Sequence, residues 1–493
     1  MNTEENREKW EWSADEIRRI GYRVVDLIAE HLTTLPSKEV FRPFPEMLAA
    51  RYLDATPWPE SGQSADDLLT VFQREIEPFP LGNGHPRFFA WVNSPPAVMG
   101  VFAEALAAAM NSSCAGGNHA AIYVERQVVH WFKRLLGFPD ASMGLLVSGG
   151  SMAALTALAV ARHAKCGFDV RARGVQAAPS RLVFYKSGEG HGCNQKAIEL
   201  LGIGSENLHI VEHDEAQRMK PSALDAAIRH DVDDGSRPVA VIASAGTVNT
   251  GLIDPLDEIA DVCQQHGVWL HVDGAYGAPA ILSARYRQQL RALARADSVA
   301  LDPHKWLCVP IEAGLVVVRD GETMRAAFSL IPPYLRTDGS PTGVGGLPWF
   351  SEYGFQQTRG FRALKVWMAL RYHGVDGYRR AIDGNIALAE QLAALLRQEP
   401  EIEVCEPQSL SIVCFRYVPP SLRNDADALT DLNKALLERL QLGGQVFLSS
   451  TVMRDTFWLR ACLVHPRTSE TDIRALIEIV KTTASALADS PES

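Results

Sequence analysis

The sequence predicts an α/β protein built around a mostly parallel sheet of seven strands. Short apolar runs alternate with helical patterns between residues 145 and 318. Several runs, such as 239–243, are apolar without alternation, which is typical of strands buried on both faces. Ligands of such sheets bind at the carboxyl ends of the strands, so functional residues are expected there. The seven predicted strands are 145–147, 182–185, 208–211, 239–243, 268–272, 298–301 and 314–318.

Residues 1–84, which precede the predicted sheet, are expected to form a helical arm and a linker. Residues 13–16 read as a capping box, and apolar residues then recur at helical spacing as far as about Leu32. A helix with one apolar stripe ahead of the core needs a surface to cover. In an oligomer that surface often belongs to the neighbouring subunit.

Residues 85–375 are expected to form the large domain, and residues 376–493 a smaller α+β domain. The stretch 327–355, after the last predicted strand, is rich in proline and glycine, which is typical of a lid or of a disordered segment. A long helix is predicted to follow from about Gly360 to His373.

The composition argues against several classes of function. With 493 residues, 46% of them hydrophobic and 22% charged, the chain is an ordinary globular protein. Its net charge of -11 argues against nucleic acid or an anionic membrane as a partner. The 8 cysteines are scattered, the amino terminus is acidic, and no long apolar stretch offers a signal peptide or a membrane span. We therefore expect a cytoplasmic protein with reduced thiols.

Lys305 lies in the run 302–307, directly after a predicted strand, so it is expected at a strand end inside the fold. Burial disfavours the charged form of an amine and lowers its pKa, which yields a nucleophile for an aldehyde. The cofactor that uses such a lysine is pyridoxal phosphate (PLP), which also needs an acid at its ring nitrogen and a cradle for its phosphate. The alternative is a surface lysine whose charged end reaches water.

Two further stretches could supply the acid and the cradle. Gly149, Gly150 and Ser151 join a predicted strand to a helical run, and backbone N–H groups at a helix start suit a phosphate dianion. Serine-glycine turns also merely cap helices. Asp273 ends a buried strand with a carboxylate, which a protonated ring nitrogen could neutralise. A turn or capping aspartate is the alternative.

His191 is flanked by glycines after the predicted strand 182–185, and its flat ring could stack on a planar cofactor. A metal site is not expected, since ligands at recognised spacing are missing. A lone histidine is usually structural. The order along the chain of a phosphate turn, a histidine, an aspartate and a lysine favours the PLP interpretation over the separate alternatives.

With these residues, the chain resembles the group II PLP-dependent amino acid decarboxylases of fold type I, and most of all the aromatic-L-amino-acid decarboxylase branch. The most specific motifs are 271–276 (HVDGAY) and 302–306 (DPHKW), and the likeness extends from the helical arm through 85–91 to the C-terminal domain. The resemblance implies a PLP cofactor, an α/β large domain of fold type I, and a homodimer with the active site at the subunit interface.

Carried over by position, Lys305 would be the Schiff-base lysine, Asp273 the partner of the ring nitrogen, His191 the stacking residue and Ala275 the opposite wall. The family position of Asp302 is often asparagine, so a carboxylate near phosphate is a departure from the pattern. The resemblance assigns further cofactor contacts, mostly to the phosphate, to Gly149, Gly150, Ser151, Thr247, Ser298, Asp302 and His304.

Tyr334 falls where the family keeps a catalytic tyrosine on a loop that reaches the partner subunit's site. After CO2 leaves, the substrate Cα needs a proton, and a phenol can deliver it as general acid. Relatives with phenylalanine at this position favour oxidative deamination to aldehydes. A packing aromatic beside a Pro-Pro turn is the alternative interpretation of Tyr334.

The implied activity is that of a lyase that decarboxylates an L-amino acid, with the aromatic class (phenylalanine, tyrosine, DOPA, tryptophan) favoured. Trp91, Val92, Ser94 and His191 match positions that contact the substrate, and an indole suits a flat apolar side chain. Aldehyde synthesis and decarboxylation of an acidic amino acid such as glutamate stay open, with Arg87 as the candidate cation for the latter. A nicotinamide-dependent dehydrogenase would need a glycine fingerprint that is absent.

Overall fold

The computed structural model describes residues 10–54, 58–330 and 345–488, which form two β-sheets with helices packed around each. None of the described helices combines the length and the hydropathy needed to cross a bilayer. The described α-helices are α1 (Ala14–Thr34), α2 (Glu46–Leu53), α3 (Ala65–Val71), α4 (Val98–Met110), α5 (Ala120–Leu136), α6 (Gly150–Lys165), α7 (Val170–Arg173), α8 (Gly192–Leu200), α9 (Pro221–Asp233), α10 (Leu256–His266), α11 (Arg287–Leu290), α12 (Gly321–Phe328), α13 (Arg362–Leu396), α14 (Ala426–Leu442) and α15 (Glu470–Ala488).

The large sheet has seven strands in the order β1-β7-β6-β5-β4-β2-β3. Only β7 runs antiparallel to its neighbours, β1 and β6, so the other six strands point the same way. The prediction of a mostly parallel α/β sheet is confirmed, and each predicted run coincides with a strand. These strands are β1 (Met143–Val147), β2 (Leu182–Ser187), β3 (Leu208–Val211), β4 (Arg237–Ser244), β5 (Trp269–Asp273), β6 (Ser298–Leu301) and β7 (Gly314–Val318).

Burial explains why these strands carry no alternating pattern. Every residue of β1, β2, β6 and β7 is buried, because helices cover both faces of the sheet. The shared strand direction places the segments after β1, β2, β4, β5 and β6 at one edge of the sheet. Most of the residues predicted for phosphate binding, ring stacking and covalent linkage belong to those segments, whereas Ser298 begins β6 at the opposite edge.

The N-terminal helix α1 begins with the predicted capping box. The Ser13 hydroxyl accepts a hydrogen bond from the Glu16 N–H (3.2 Å), and the Glu16 carboxylate accepts one from the Ser13 N–H (3.0 Å). None of the residues of α1 is fully buried, although its apolar stripe is half-covered. The helix therefore presents an apolar face that the described part of one chain leaves incompletely covered.

The C-terminal part is built on a second, antiparallel sheet in the order β10-β11-β9-β8. Helix α13 leads into it and has one non-helical residue, Gly374 (φ 65°), next to the predicted helix end at His373. Its second half packs with α14 and α15 over the sheet in a separate apolar cluster. The α+β prediction is confirmed, while the domain boundaries at 84 and 375 stay predictions. The strands are β8 (Ile402–Val404), β9 (Ile412–Tyr417), β10 (Ser449–Met453) and β11 (Thr456–Cys462).

Candidate active site

A cavity of about 500 Å³ lies at the carboxyl edge of the large sheet and brings most of the predicted residues together. Lys305 and Asp273 both line it, so the amine and the carboxylate face one shared space. The predicted residues that line this cavity are Trp91, Val92, Gly149, Gly150, Ser151, His191, Thr247, Asp273, Ala275, Asp302, His304 and Lys305.

Lys305 follows β6 on a tight turn, and its Nζ lies 3.1 Å from Oδ2 of Asp302. Enclosure by protein acts to lower the pKa of this amine, but the carboxylates of Asp302 and Asp273 outweigh it, and the pKa is raised above its ordinary value. The expectation of a lowered pKa is therefore wrong, because it considered burial without the neighbouring charges. In this arrangement the amine is an ammonium ion that two carboxylates hold in the cavity.

Asp273 ends β5, and both of its carboxylate oxygens accept a hydrogen bond. Oδ1 accepts from the Ala275 N–H (3.2 Å) and Oδ2 from the Nδ2–H of Asn194 (3.3 Å). Asn194 is fully buried on α8, and its Oδ1 has no hydrogen-bond partner among the described residues. No local pattern predicts this contact, since the two residues are 79 positions apart.

His191 forms the N-cap of α8, and its Nδ1 accepts a hydrogen bond from the Cys193 N–H (3.1 Å). With Nδ1 used as an acceptor, the neutral ring has its proton on Nε2. Burial lowers the pKa of His191 below its usual value, and it also raises the pKa of the neighbouring Cys193 thiol to about 12. Both groups are therefore uncharged near neutral pH, and His191 presents a neutral flat ring to the cavity.

The turn between β1 and α6 has the close packing that its glycines predict. A Cβ on Gly150 would lie 2.9 Å from Oδ2 of Asp302 and 3.2 Å from Cβ of Ala275. A Cβ on Gly314 would lie 2.4 Å from Cα of Gly149, so β7 also presses against this turn. The first residues of this 16-residue helix, Gly150 and Ser151, line the cavity, and the N–H groups at a helix start favour an anion.

These residues fit PLP in each of its three parts. The cavity holds an amine for an aldehyde, a carboxylate for a ring nitrogen and a glycine turn at a helix start for a phosphate. Thr247 adds a hydroxyl to the wall, where its Oγ1 lies 2.9 Å from that of Thr250. His304 is held by its Nδ1, which lies 2.7 Å from the Ala313 carbonyl oxygen.

Two predicted residues lie outside the cavity wall. Ser298 is the first residue of β6, at the opposite end of the strand from Lys305, and its hydroxyl contacts Nε1 of Trp269 (2.8 Å) and Nδ1 of His271 (2.9 Å). The expected phosphate contact of Ser298 is therefore corrected. Ser94 donates to the His304 carbonyl (3.3 Å), and its expected contact with substrate stays a prediction.

Two other predictions have different outcomes. Arg87, the candidate cation for an acidic substrate, pairs with Asp472 (2.9 Å) and does not line the cavity. Tyr334 lies outside the described residues. The described wall also contains residues that the sequence did not single out as site residues, namely Asn93, Met152, Cys193, Tyr276, Val248 and Glu312.

Trp91 forms the aromatic part of the wall, with 46% of its surface exposed. Its ring lies 6.1 Å from that of Phe88 and 6.0 Å from that of Phe447. Its carbonyl oxygen accepts a hydrogen bond from Nη1 of Arg460 (2.8 Å). The indole thus contacts one ring nearby in sequence and one from the C-terminal part, while nearly half of the residue's surface stays exposed.

Comparison with known proteins agrees with this geometry. The family model of the pyridoxal-dependent decarboxylase conserved domain matches residues 45–418. The chain is 38% identical to an aromatic-L-amino-acid decarboxylase from Bacillus atrophaeus over 481 residues, which cover 97% of each chain. It is 30% identical to tryptophan decarboxylase 2 from Oryza sativa subsp. japonica, over 95% of this chain and 94% of the other.

A solved structure with the same fold is that of Oryza sativa TDC with PLP and tryptamine. The two superpose with a TM-score of 0.88 at 26% identity, and the match covers 96% of this chain and 99% of the other. A protein with the same backbone fold around this cavity has therefore been solved with PLP.

Proposed function

The chain belongs to the pyridoxal-dependent decarboxylase family, and from this premise we propose that it converts an aromatic L-amino acid to the corresponding amine and CO2. Family membership makes the protein a PLP-dependent amino acid decarboxylase. The observation that supports an aromatic substrate is the half-exposed indole of Trp91 on the wall of the cavity that Lys305 and Asp273 share.

When bound, PLP supplies an aldehyde that holds amino groups and an electron-poor ring that accepts the electron pair left by departing CO2. In our proposal, Lys305 binds that aldehyde and Asp273 accepts the hydrogen bond of the ring nitrogen. The Asp273 carboxylate is already oriented by Asn194 and by the Ala275 N–H, so it needs little rearrangement. Gly149, Gly150 and Ser151 offer their backbone N–H groups and a hydroxyl to the phosphate.

His191 is proposed to stack on one face of the cofactor ring and Ala275 to line the other. The Nε2–H of His191 can donate to the substrate carboxylate, which would help to hold the bond to be broken perpendicular to the ring. After CO2 leaves, Cα needs a proton, and Tyr334 is proposed as the general acid because the resemblance assigns that role to its position.

The charge of the cavity wall also favours an aromatic over an acidic side chain. Lys305 is the only lysine or arginine among the described lining residues. Glu312 places a carboxylate on the wall, where Nη2 of Arg362 lies 2.6 Å from it. Among the described lining residues, an acidic substrate side chain would meet this carboxylate and no cation besides Lys305, whereas an aromatic ring can lie against Trp91.

We further propose a homodimer with the active site at the subunit interface. Exposed apolar residues on α1, namely Ile17, Tyr22 and Val25, support an arm that covers a neighbouring subunit. A cytoplasmic location is proposed because all eight cysteines are free, as expected in a reducing compartment. The proposed parts are an arm (1–84), a PLP-binding domain (85–375) and a small domain (376–493).

The test is a visible absorption spectrum of the purified protein, followed by borohydride reduction, peptide mapping and an amino acid panel. We expect a reducible chromophore at Lys305, its loss in Lys305→Ala and its retention in the control Lys434→Ala, whose side chain is exposed. The panel should give amine and CO2 from aromatic amino acids in preference to glutamate. Aldehyde with peroxide, or a preference for glutamate, would contradict the proposed reaction or substrate.

A further inference from the structure

Asp302 is a buried carboxylate, and among the described residues one of its two oxygens has a partner. The residue is 1% exposed, directly after β6. Its Oδ2 lies 3.1 Å from Nζ of Lys305 and 3.8 Å from Nε2 of His304. Its Oδ1 is equally buried and has no hydrogen-bond partner among the described residues. A buried oxygen without a partner is costly, so it points to a group that the site is built to receive.

The same carboxylate touches the turn that is proposed to bind phosphate. A Cβ on Gly150 would lie 2.9 Å from Oδ2 of Asp302 and 3.6 Å from its Cγ. Gly150 is the first residue of α6, where the N–H groups that favour an anion begin. A phosphate at this helix start would therefore bring two negative charges next to a third.

The surrounding groups supply one positive charge for these anions. On its own segment Asp302 faces Lys305 and His304, and from the segment around the start of α8 it faces His191 and Cys193. Burial lowers the pKa of both histidines and raises that of the Cys193 thiol to about 12, so these three groups stay neutral near pH 7. The Lys305 ammonium remains, and Asp273 also draws on it.

We propose that binding of the cofactor phosphate is accompanied by the uptake of one proton from solvent at the Asp302 carboxyl group. The added proton turns the carboxylate into an O–H donor for a phosphate oxygen, so a repulsive contact becomes a hydrogen bond. When the phosphate leaves, the proton returns to solvent. An asparagine would offer an N–H at the same place with no proton to take up.

This inference rests on the proposed PLP site, and it makes cofactor affinity depend on pH. Above neutral pH the proton concentration of the solution falls tenfold per pH unit, so proton uptake by Asp302 becomes less favourable. The affinity of the wild type should then fall about tenfold more per pH unit than that of Asp302→Asn. At high pH the variant should bind the phosphate ligand more tightly than the wild type.

The experiment is isothermal titration of the full-length protein, freed of cofactor, with pyridoxine 5'-phosphate, which has no aldehyde and forms no covalent bond with Lys305. Titrations at pH 8 in two buffers of different ionisation enthalpy give the number of protons taken up. We expect the wild type to take up about one proton more than Asp302→Asn. Pyridoxine without phosphate is the matched control ligand, for which the two proteins should give equal counts.

Equal proton counts for wild type and Asp302→Asn with the phosphate ligand would overturn the inference and leave the proposed function intact. If the wild type took up no proton on binding the phosphate ligand, the inference would also be overturned, without the need for a variant. Failure of pyridoxine 5'-phosphate to bind either protein, together with no chromophore at Lys305, would overturn the proposed PLP site and the inference with it.

Discussion

The buried ion pair between Glu125 and Arg359 supports the strand that leads into the phosphate turn. The side chains of Glu125 and Arg359 are 0% and 2% exposed. The Leu146 N–H donates to Oε1 of Glu125 (3.1 Å), and Nη2 of Arg359 donates to the Leu146 carbonyl (2.6 Å). Since β1 is an edge strand, this pair provides hydrogen-bond partners that no neighbouring strand supplies.

Glu125→Gln should therefore destabilise the protein strongly. The amide keeps the shape of the carboxylate but leaves the Arg359 guanidinium buried without a counter-charge, and breaking such a pair costs about 3–5 kcal/mol of unfolding free energy. Because β1 ends at the turn that is proposed to hold phosphate, PLP affinity should fall as well. Glu470→Gln is the matched control: it breaks an exposed pair with Arg474, so its effect on unfolding should be small.

The assay is urea unfolding of cofactor-free protein, followed by tryptophan fluorescence and by circular dichroism at one protein concentration. Coincident transitions would justify a two-state free energy. If Glu125→Gln lost no more unfolding free energy than the surface control Glu470→Gln, the reasoning about an uncompensated buried charge would be refuted.

Three further predictions concern the substrate, the reaction and pH. Trp91→Ala should lower kcat/KM for aromatic amino acids about tenfold by removing ring contact, with equal values for wild type and variant refuting the role. Tyr334→Phe should reduce amine and, with O2 as oxidant, release aldehyde, ammonia and peroxide; unchanged amine output would contradict it. Burial lowers the pKa of His271 and His465 from 6.5 to about 4. Between pH 6.5 and 4 the unfolded chain binds more protons than the folded chain. The free energy of unfolding should therefore fall on acidification by about 1.4 kcal/mol per pH unit for each of the two histidines. Urea unfolding at pH 7 and at pH 5 would test this.

The fold was predictable because its signals are local. A strand such as β4, buried on both faces, has to be apolar along its length, and a capping box such as that of Ser13 and Glu16 lies within four residues. The site followed from the same pattern, because the residues after parallel strands meet at one edge of the sheet. Asp273 and Lys305 therefore line one cavity although no short-range signal links them.

Contacts between distant parts of the chain were not predictable in this way. Asn194 meets Asp273 across 79 positions, and Arg359 meets Glu125 across 234. The charge of Lys305 depends on two carboxylates whose distance only the folded chain defines. The error at Ser298 has a different origin. The residue is close to Lys305 in sequence, but Ser298 begins β6 and Lys305 follows the end of β6. The length of the strand therefore separates the two residues.

The aromatic residues that end the two most specific motifs explain why the motifs belong together. Tyr276 follows Asp273 by three residues and Trp306 follows Lys305 by one, and the two rings stack with centroids 4.9 Å apart. The Tyr276 hydroxyl lies 2.6 Å from the Ser411 hydroxyl, which directly precedes β9.

Trp306 is also tied to the C-terminal part of the chain, since its Nε1–H donates to Oδ1 of Asn385 (3.0 Å), and Nδ2 of Asn385 donates to the His465 carbonyl (3.0 Å). The segments that present the carboxylate and the amine are thus fixed to each other by a ring contact and to the second part of the protein by hydrogen bonds. Since the spacing of Asp273 and Lys305 must match a rigid cofactor ring, residues that touch no ligand are as constrained as those that do.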